Sequence, residues 1–129
     1  MKRFFRLMLL FAVTIFSSCE KENDETMLNQ ILGTWEATQC KSDGDWITIP
    51  SYSNLNISIS FYNDGRYYGD SDIFGSGWGT YTLSGKTIKT YINNKLLYTY
   101  YIKSITSSSA EVTMFSGSSS IEFRLKKVK

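Results

Sequence analysis

The chain contains no histidine, two cysteines and a single proline in 129 residues. Without histidine, a serine or cysteine nucleophile lacks its usual activating base. Neither a glycine-rich phosphate loop between strand and helix nor a serine elbow is present. "DSD" (Asp70 to Asp72) brings two carboxylates into a glycine-rich stretch, short of the six or more oxygens that calcium takes. Paired carboxylates also serve glycoside hydrolysis, but in clefts larger than a domain of this size builds. The expectation is a protein that is not an enzyme and that holds no metal and no cofactor. Long apolar runs are missing too. The longest, Leu7 to Phe16, has ten residues, too few to cross a hydrocarbon core of about 30 Å.

An excess of basic charge is lacking once the first residues are set aside. The formal charge is +2, but Lys2, Arg3 and Arg6 precede Cys19 while all 12 acidic residues follow it. Taking those three from the 14 basic residues leaves 11 against 12 acidic. The remainder offers no basic face for nucleic acid, which excludes that partner.

What is present at the N-terminus is organised like an export signal. "MKRFFR" is a positive segment, "LMLLFAVTIF" an apolar one, and "SSC" supplies small residues before a break. Phe16 spoils the small-x-small pattern of an ordinary cleavage site. "FSSC" instead resembles the lipobox of bacterial lipoproteins, with Phe16 where that family usually has Leu. The resemblance implies that Cys19 receives a diacylglycerol, that cleavage removes residues 1–18, and that the new amine is acylated. Several acyl chains hold a protein firmly to a membrane where one does not. The acidic run "EKENDE" (Glu20 to Glu25) is too charged to fold and reads as a solvated tether. It also resembles the acidic signal that, in one large group of Gram-negative bacteria, sends lipoproteins to the outer face of the outer membrane. The implied organisation is a signal peptide over 1–18, a lipidated cysteine and tether over 19–30, and one domain over 31–129. The implied location is the outer membrane, lipid-anchored, with the cell exterior as the face that the acidic signal implies. With Cys19 acylated, Cys40 has no disulfide partner and reads as a packed structural thiol.

The domain reads as strand after strand. "MLNQIL" (Met27 to Leu32) predicts a helical turn or two, stopped by Gly33. Eight runs rich in Ile, Tyr, Thr and Val follow, separated by Gly, Asn, Asp and Ser clusters: Thr34–Lys41, Leu55–Tyr62, Arg66–Asp70, Gly77–Leu83, Thr87–Ile92, Leu96–Ile105, Ala110–Phe115 and Ser120–Lys127. "WITIP" (Trp46 to Pro50) adds a short edge piece. Alternation marks one apolar face: Leu55, Ile57, Ile59 and Phe61; Tyr67; Tyr81 and Leu83; Ile88 and Ile92; Leu96, Tyr98, Tyr100 and Ile102; Val112 and Met114; Ile121, Phe123 and Leu125. One-sided strands of this kind fit an all-β sandwich or barrel alike, and the short sequential connections favour the second, an eight-stranded antiparallel up-and-down barrel. "NDG" (Asn63 to Gly65) fits a hairpin turn with Gly65 at positive φ.

"GTW" (Gly33, Thr34, Trp35) opens the first strand. This resembles the G-x-W signature of lipocalins, in which the Trp plugs the closed end of the barrel. With "FYNDGRYYG" and "GTYTLSGKTI", the chain from Ile31 onward is similar to the lipocalin-like domain of bacterial lipoproteins. The second lipocalin motif, Thr-Asp-Tyr, is absent. The arginine that crosses the Trp in that family has one counterpart here, Arg124, and its parity sets it outward.

Two functions stay open. In the first, a lipid-anchored barrel binds a small apolar or aromatic ligand, lined by Tyr67, Tyr81, Tyr98 and Tyr100 and closed by a lid carrying Phe74 and Trp78. Tyrosine suits this because it joins a flat apolar face to a hydrogen-bonding tip. In the second, large inward residues fill the barrel completely, and exposed aromatics contact a protein or a glycan.

Overall fold

The computed structural model describes residues 25–49 and 56–129. Cys19, the leader and the acidic stretch through Asp24 lie outside the described residues, as do Pro50 and Leu55. A short helix, α1, covers residues 25–31. Nine strands follow: β1 (Gly33–Ser42), β2 (Asp45–Thr48), β3 (Ile57–Phe61), β4 (Arg66–Ser71), β5 (Gly75–Ser84), β6 (Thr87–Ile92), β7 (Lys95–Ile105), β8 (Ser109–Ser116) and β9 (Ser119–Lys127). All pairings are antiparallel; β3 to β9 pair in sequence, and β1 pairs with both β3 and β9, which closes an eight-stranded barrel. The ninth strand is β2, the expected edge piece, laid along the far half of β1 from Gln39 to Ser42.

Connections are short because the turn residues demand little else. Gly65 takes φ +86° in the β3–β4 turn, and Asn93 and Asn94 both take positive φ between β6 and β7, as the tightest hairpins require. The turns alternate between two ends. One end carries α1 and the β3–β4, β5–β6 and β7–β8 turns; the other carries β1–β2, β4–β5, β6–β7 and β8–β9.

The first end is closed. Ile31 and Trp35 are each only 2 % exposed, and Trp35 Nε1 donates to the Ile31 carbonyl at 2.8 Å. Gly33 permits the tight passage from α1 to β1: its φ is +118°, and a Cβ there would stand 2.7 Å from Lys127 Cε. The cation lying over the Trp35 ring is Lys127, with Nζ 5.5 Å from the centroid. Arg124 faces outward, as its parity predicts, and stacks over Trp46 at 4.0 Å.

The apolar rows converge inside. Phe61, Tyr67, Tyr81, Ile88, Ile102, Val112, Met114 and Phe123 are buried, with Trp35 and Ala37 from β1. Two members of the expected rows are not in the core. Leu96 is 56 % exposed and Ile92 37 %. A bulge explains Leu96: Thr90 pairs with Tyr98 but Tyr91 pairs with Leu96, so Leu97 is the extra residue and the alternation on β7 shifts there. Ile92 keeps its inward parity on β6 but stands at the rim of the barrel, where it is not enclosed. Thr90, fully buried, takes the inward place beside Tyr98. Two further bulges act in the same way. One at Thr38 keeps Ala37 and Cys40 both against the core, and one at Lys103 does so for Ile102 and Ile105. Cys40 is a half-buried free thiol.

Candidate functional site: a cavity at the open end of the barrel

The barrel is not filled. A cavity of about 240 Å³ runs from Trp35, Phe61 and Ile88 toward the end that carries the β4–β5 and β6–β7 turns. Its walls are mostly apolar, with Ile57, Ile59, Val112, Met114, Phe123 and Leu125 among them, and Ile92 and Leu97 stand at the rim.

Glycine makes the space. On β5 the inward positions before Tyr81 are Gly75, Gly77 and Gly79, and Gly69 on β4 pairs with Gly77. Strand alternation brings these Cβ-free positions to one face. Nothing lies within 4 Å of where a Cβ would stand at Gly77. Gly79 is different: a Cβ there would sit 2.5 Å from Tyr67 Cε1, because the Tyr67 ring lies flat across it. Gly79 thus lets Tyr67 lean from β4 over β5.

Of the six residues expected to line a pocket, Tyr67, Tyr98, Tyr100 and Phe74 do so. Tyr98 and Tyr100 project from alternate positions of β7, with ring centroids 6.4 Å apart. Phe74, in the β4–β5 turn, meets Tyr98 edge-on at 6.0 Å and Phe123 at 6.3 Å, so it reaches across the mouth from β7 to β9. Ser71 Oγ fixes that turn by accepting the amides of Ile73 and Phe74 at 3.1 and 3.0 Å.

Tyr81 and Trp78 do not line the cavity. Tyr81 faces inward as expected but sits nearer the closed end. There its ring packs edge-on against Phe61 at 5.0 Å and its hydroxyl donates to the Tyr62 carbonyl at 2.6 Å. Trp78 lies outside because β5 already begins at Gly75, which leaves no loop to swing it and gives it outward parity. It is 55 % exposed, between Tyr68 and Tyr62 at 5.0 and 5.5 Å, with the Arg66 guanidinium 5.3 Å from its ring.

Polarity is sparse and placed in two zones. At the mouth, Asp70 Oδ2 accepts from Asn56 Nδ2 at 3.0 Å and Oδ1 from Ser76 at 2.9 Å. Asp72 accepts the Asn56 amide at 2.8 Å. The "DSD" carboxylates therefore tie β3, β4 and β5 together. Deeper in, the phenols of Tyr67, Tyr98 and Tyr100 gather around Thr90. Burial pushes the Tyr100 phenol strongly upward, and Tyr67 and Tyr98 add to that rise. Burial raises Tyr67 as well; the nearby Thr90 hydroxyl partly offsets this, and Tyr98 reinforces it. No group among the described residues stands in hydrogen-bonding geometry to the Tyr67 hydroxyl. Thr90 Oγ1 is committed elsewhere, donating to the Tyr98 carbonyl at 3.1 Å and accepting its amide at 3.2 Å.

Neither a family model, nor a curated protein, nor a solved structure matches the chain.

The glycine row has a readable sign in the sequence, within the stretch around Phe74 and Trp78 that was expected to form a lid. "GSGWG" alternates like a strand whose inner face carries no side chains.

Proposed function

We propose that this chain is a lipid-anchored envelope protein, tethered through Cys19 to the outer membrane, whose lipocalin-like barrel binds a small, largely apolar ligand in the cavity. The apolar cavity of about 240 Å³ at the open end carries this reading. Pockets of this type, apolar with a few convergent polar groups, are the usual form of a small-molecule site. Burial of a guest there gains about 25 cal/mol per Å² of apolar area. The G-x-W opening, the helix over the closed end and the sequential barrel support the lipocalin-like assignment. A barrel packed solid, the alternative, fits this interior less well.

The test uses Gly77, whose Cβ direction is open. Gly77→Ile should fill the cavity, keep the fold because isoleucine suits a strand better than glycine, and abolish saturable binding of an apolar fluorescent probe. Undiminished binding would take the site out of the barrel. Binding that survives Gly77→Ile but is lost in Trp78→Ala would move it to the outer patch of Tyr62, Tyr68 and Trp78, the feature that favours contact with a protein or glycan. The anchor is tested separately. Cys19→Ala should leave the chain unprocessed or free of the membrane, and normal processing and attachment would remove the lipoprotein reading.

A further inference from the structure

We infer that the ligand is a neutral molecule about the size of two fused rings, carrying one hydrogen-bond-accepting atom that the buried hydroxyl of Tyr67 receives. This rests on the ligand-binding reading and narrows it. Size comes from the cavity: a cavity of about 150 Å³ holds one benzene, and this one measures about 240 Å³.

Charge comes from the lining. Among the described residues neither lysine nor arginine contributes to the cavity wall, and the one carboxylate, Asp70, stands at the mouth. An anion pushed inward would pass Asp70 and lose its hydration without meeting a cation, which is strongly unfavourable. A cation drawn inward would lose its hydration among aromatic and aliphatic walls and leave Asp70 behind at the mouth, where that carboxylate accepts from Asn56 and Ser76.

The accepting atom comes from Tyr67. The residue is 4 % exposed and lines the cavity, yet its hydroxyl has no partner among the described residues. Buried polar groups are nearly always hydrogen-bonded, and the nearby Thr90 hydroxyl, which donates to the Tyr98 carbonyl and accepts its amide, does not stand in hydrogen-bonding geometry to the Tyr67 phenol. A phenol held neutral by burial can donate to a ketone, ether or hydroxyl oxygen. Gly79 holds the ring in place and leaves it little room to turn away.

The experiment uses three naphthalene probes of matched shape on the folded protein: methyl naphthyl ketone, isopropenylnaphthalene and naphthoate. Ketone and alkene should both bind, and naphthoate should bind at least a hundredfold more weakly than the ketone. Tyr67→Phe should lower the ratio of ketone to alkene affinity about tenfold, the worth of one hydrogen bond, while alkene affinity holds. The ligand-free variant should melt at the same temperature or higher, because it loses only an unpartnered hydroxyl. An unchanged ratio, naphthoate binding as tight as the ketone, or a melting point lowered by several degrees would overturn the inference and leave an apolar site. Failure of all three probes to bind saturably would overturn the ligand-binding reading itself.

Discussion

At the scale of single residues, Trp35 unites the closed end. Its ring is buried, its indole N–H reaches back to Ile31, and Lys127 from the last strand lies over its face. Trp35→Ala should therefore cost roughly 3–5 kcal/mol, the range for truncating a large buried aromatic. That is a large part of the about 5–15 kcal/mol that stabilises a small domain. Denaturant titration measures it, and an unchanged midpoint would show that Trp35 is not the plug. Its importance was legible from "GTW" at the head of the first strand, taken with the strand count and the stretches that follow. Lys127 was not, because a cation crossing a ring requires the strand offset at Thr38, and no residue type announces a bulge. The same limit applied to Leu96 and Leu97. Alternation identified the inward row, while the extra residue that shifts it left no mark in the composition.

Among elements, the β4–β5 hairpin shapes the mouth. The strand reading found both strands but began β5 at Gly77, two residues late, which turned a hairpin arm into a lid. Glycine punctuates loops so often that three in alternation read as flexibility. Paired with β4, they form a wall without side chains. Among the described residues the turn at 72–74 covers the entrance, where Phe74 spans Tyr98 and Phe123. Phe74→Ala should accelerate dissociation of a bound apolar probe in stopped-flow measurements. Because Phe74 is only half-buried, the stability loss should be roughly 1–2 kcal/mol, below that of a fully enclosed ring. Dissociation at the original rate would mean that the turn does not gate the cavity.

The whole molecule was the most legible level. Period-two rows, short turns and the count of strands narrowed the fold to a sandwich or a barrel, and "GTW" at the head of the first strand decided for the barrel, in which closure leaves no edge. The cavity was not legible, because volume depends on how eight inner faces meet. Its phenols also set a whole-molecule property. Burial raises Tyr67, Tyr81 and Tyr100 above the ordinary tyrosine value of about 10. Above that pH the unfolded chain loses phenolic protons that the folded barrel keeps, so stability falls as pH rises. Below it the full contribution is present. At the acid end, Glu122 is held below its usual range chiefly by its bond from Lys103. That contribution is present above about pH 4, is lost as pH falls through the depressed value, and is small because both groups face water. Thermal melts should accordingly show a broad neutral plateau, a slight acid decline and a steep alkaline one. Tyr100→Phe should make the alkaline slope shallower, and a slope unaltered by it would place that phenol in water.

The seam between β1 and β9 is the one pairing in the barrel that joins the two ends of the domain. Thr38 donates to the carbonyl of Arg124, 86 positions away, and Arg124 reaches Gln39 and Glu111 across three strands. Every other pair can form from nearby sequence, whereas this one closes the largest loop the domain contains. A polypeptide synthesised from its amino end holds β1 ready long before its partner exists. Until β9 is delivered, the strands are a curling ribbon with two unpaired borders, and Trp35 waits without the lysine that covers it. Pairing of Ser119–Lys127 with β1 is the step that turns the ribbon into a vessel.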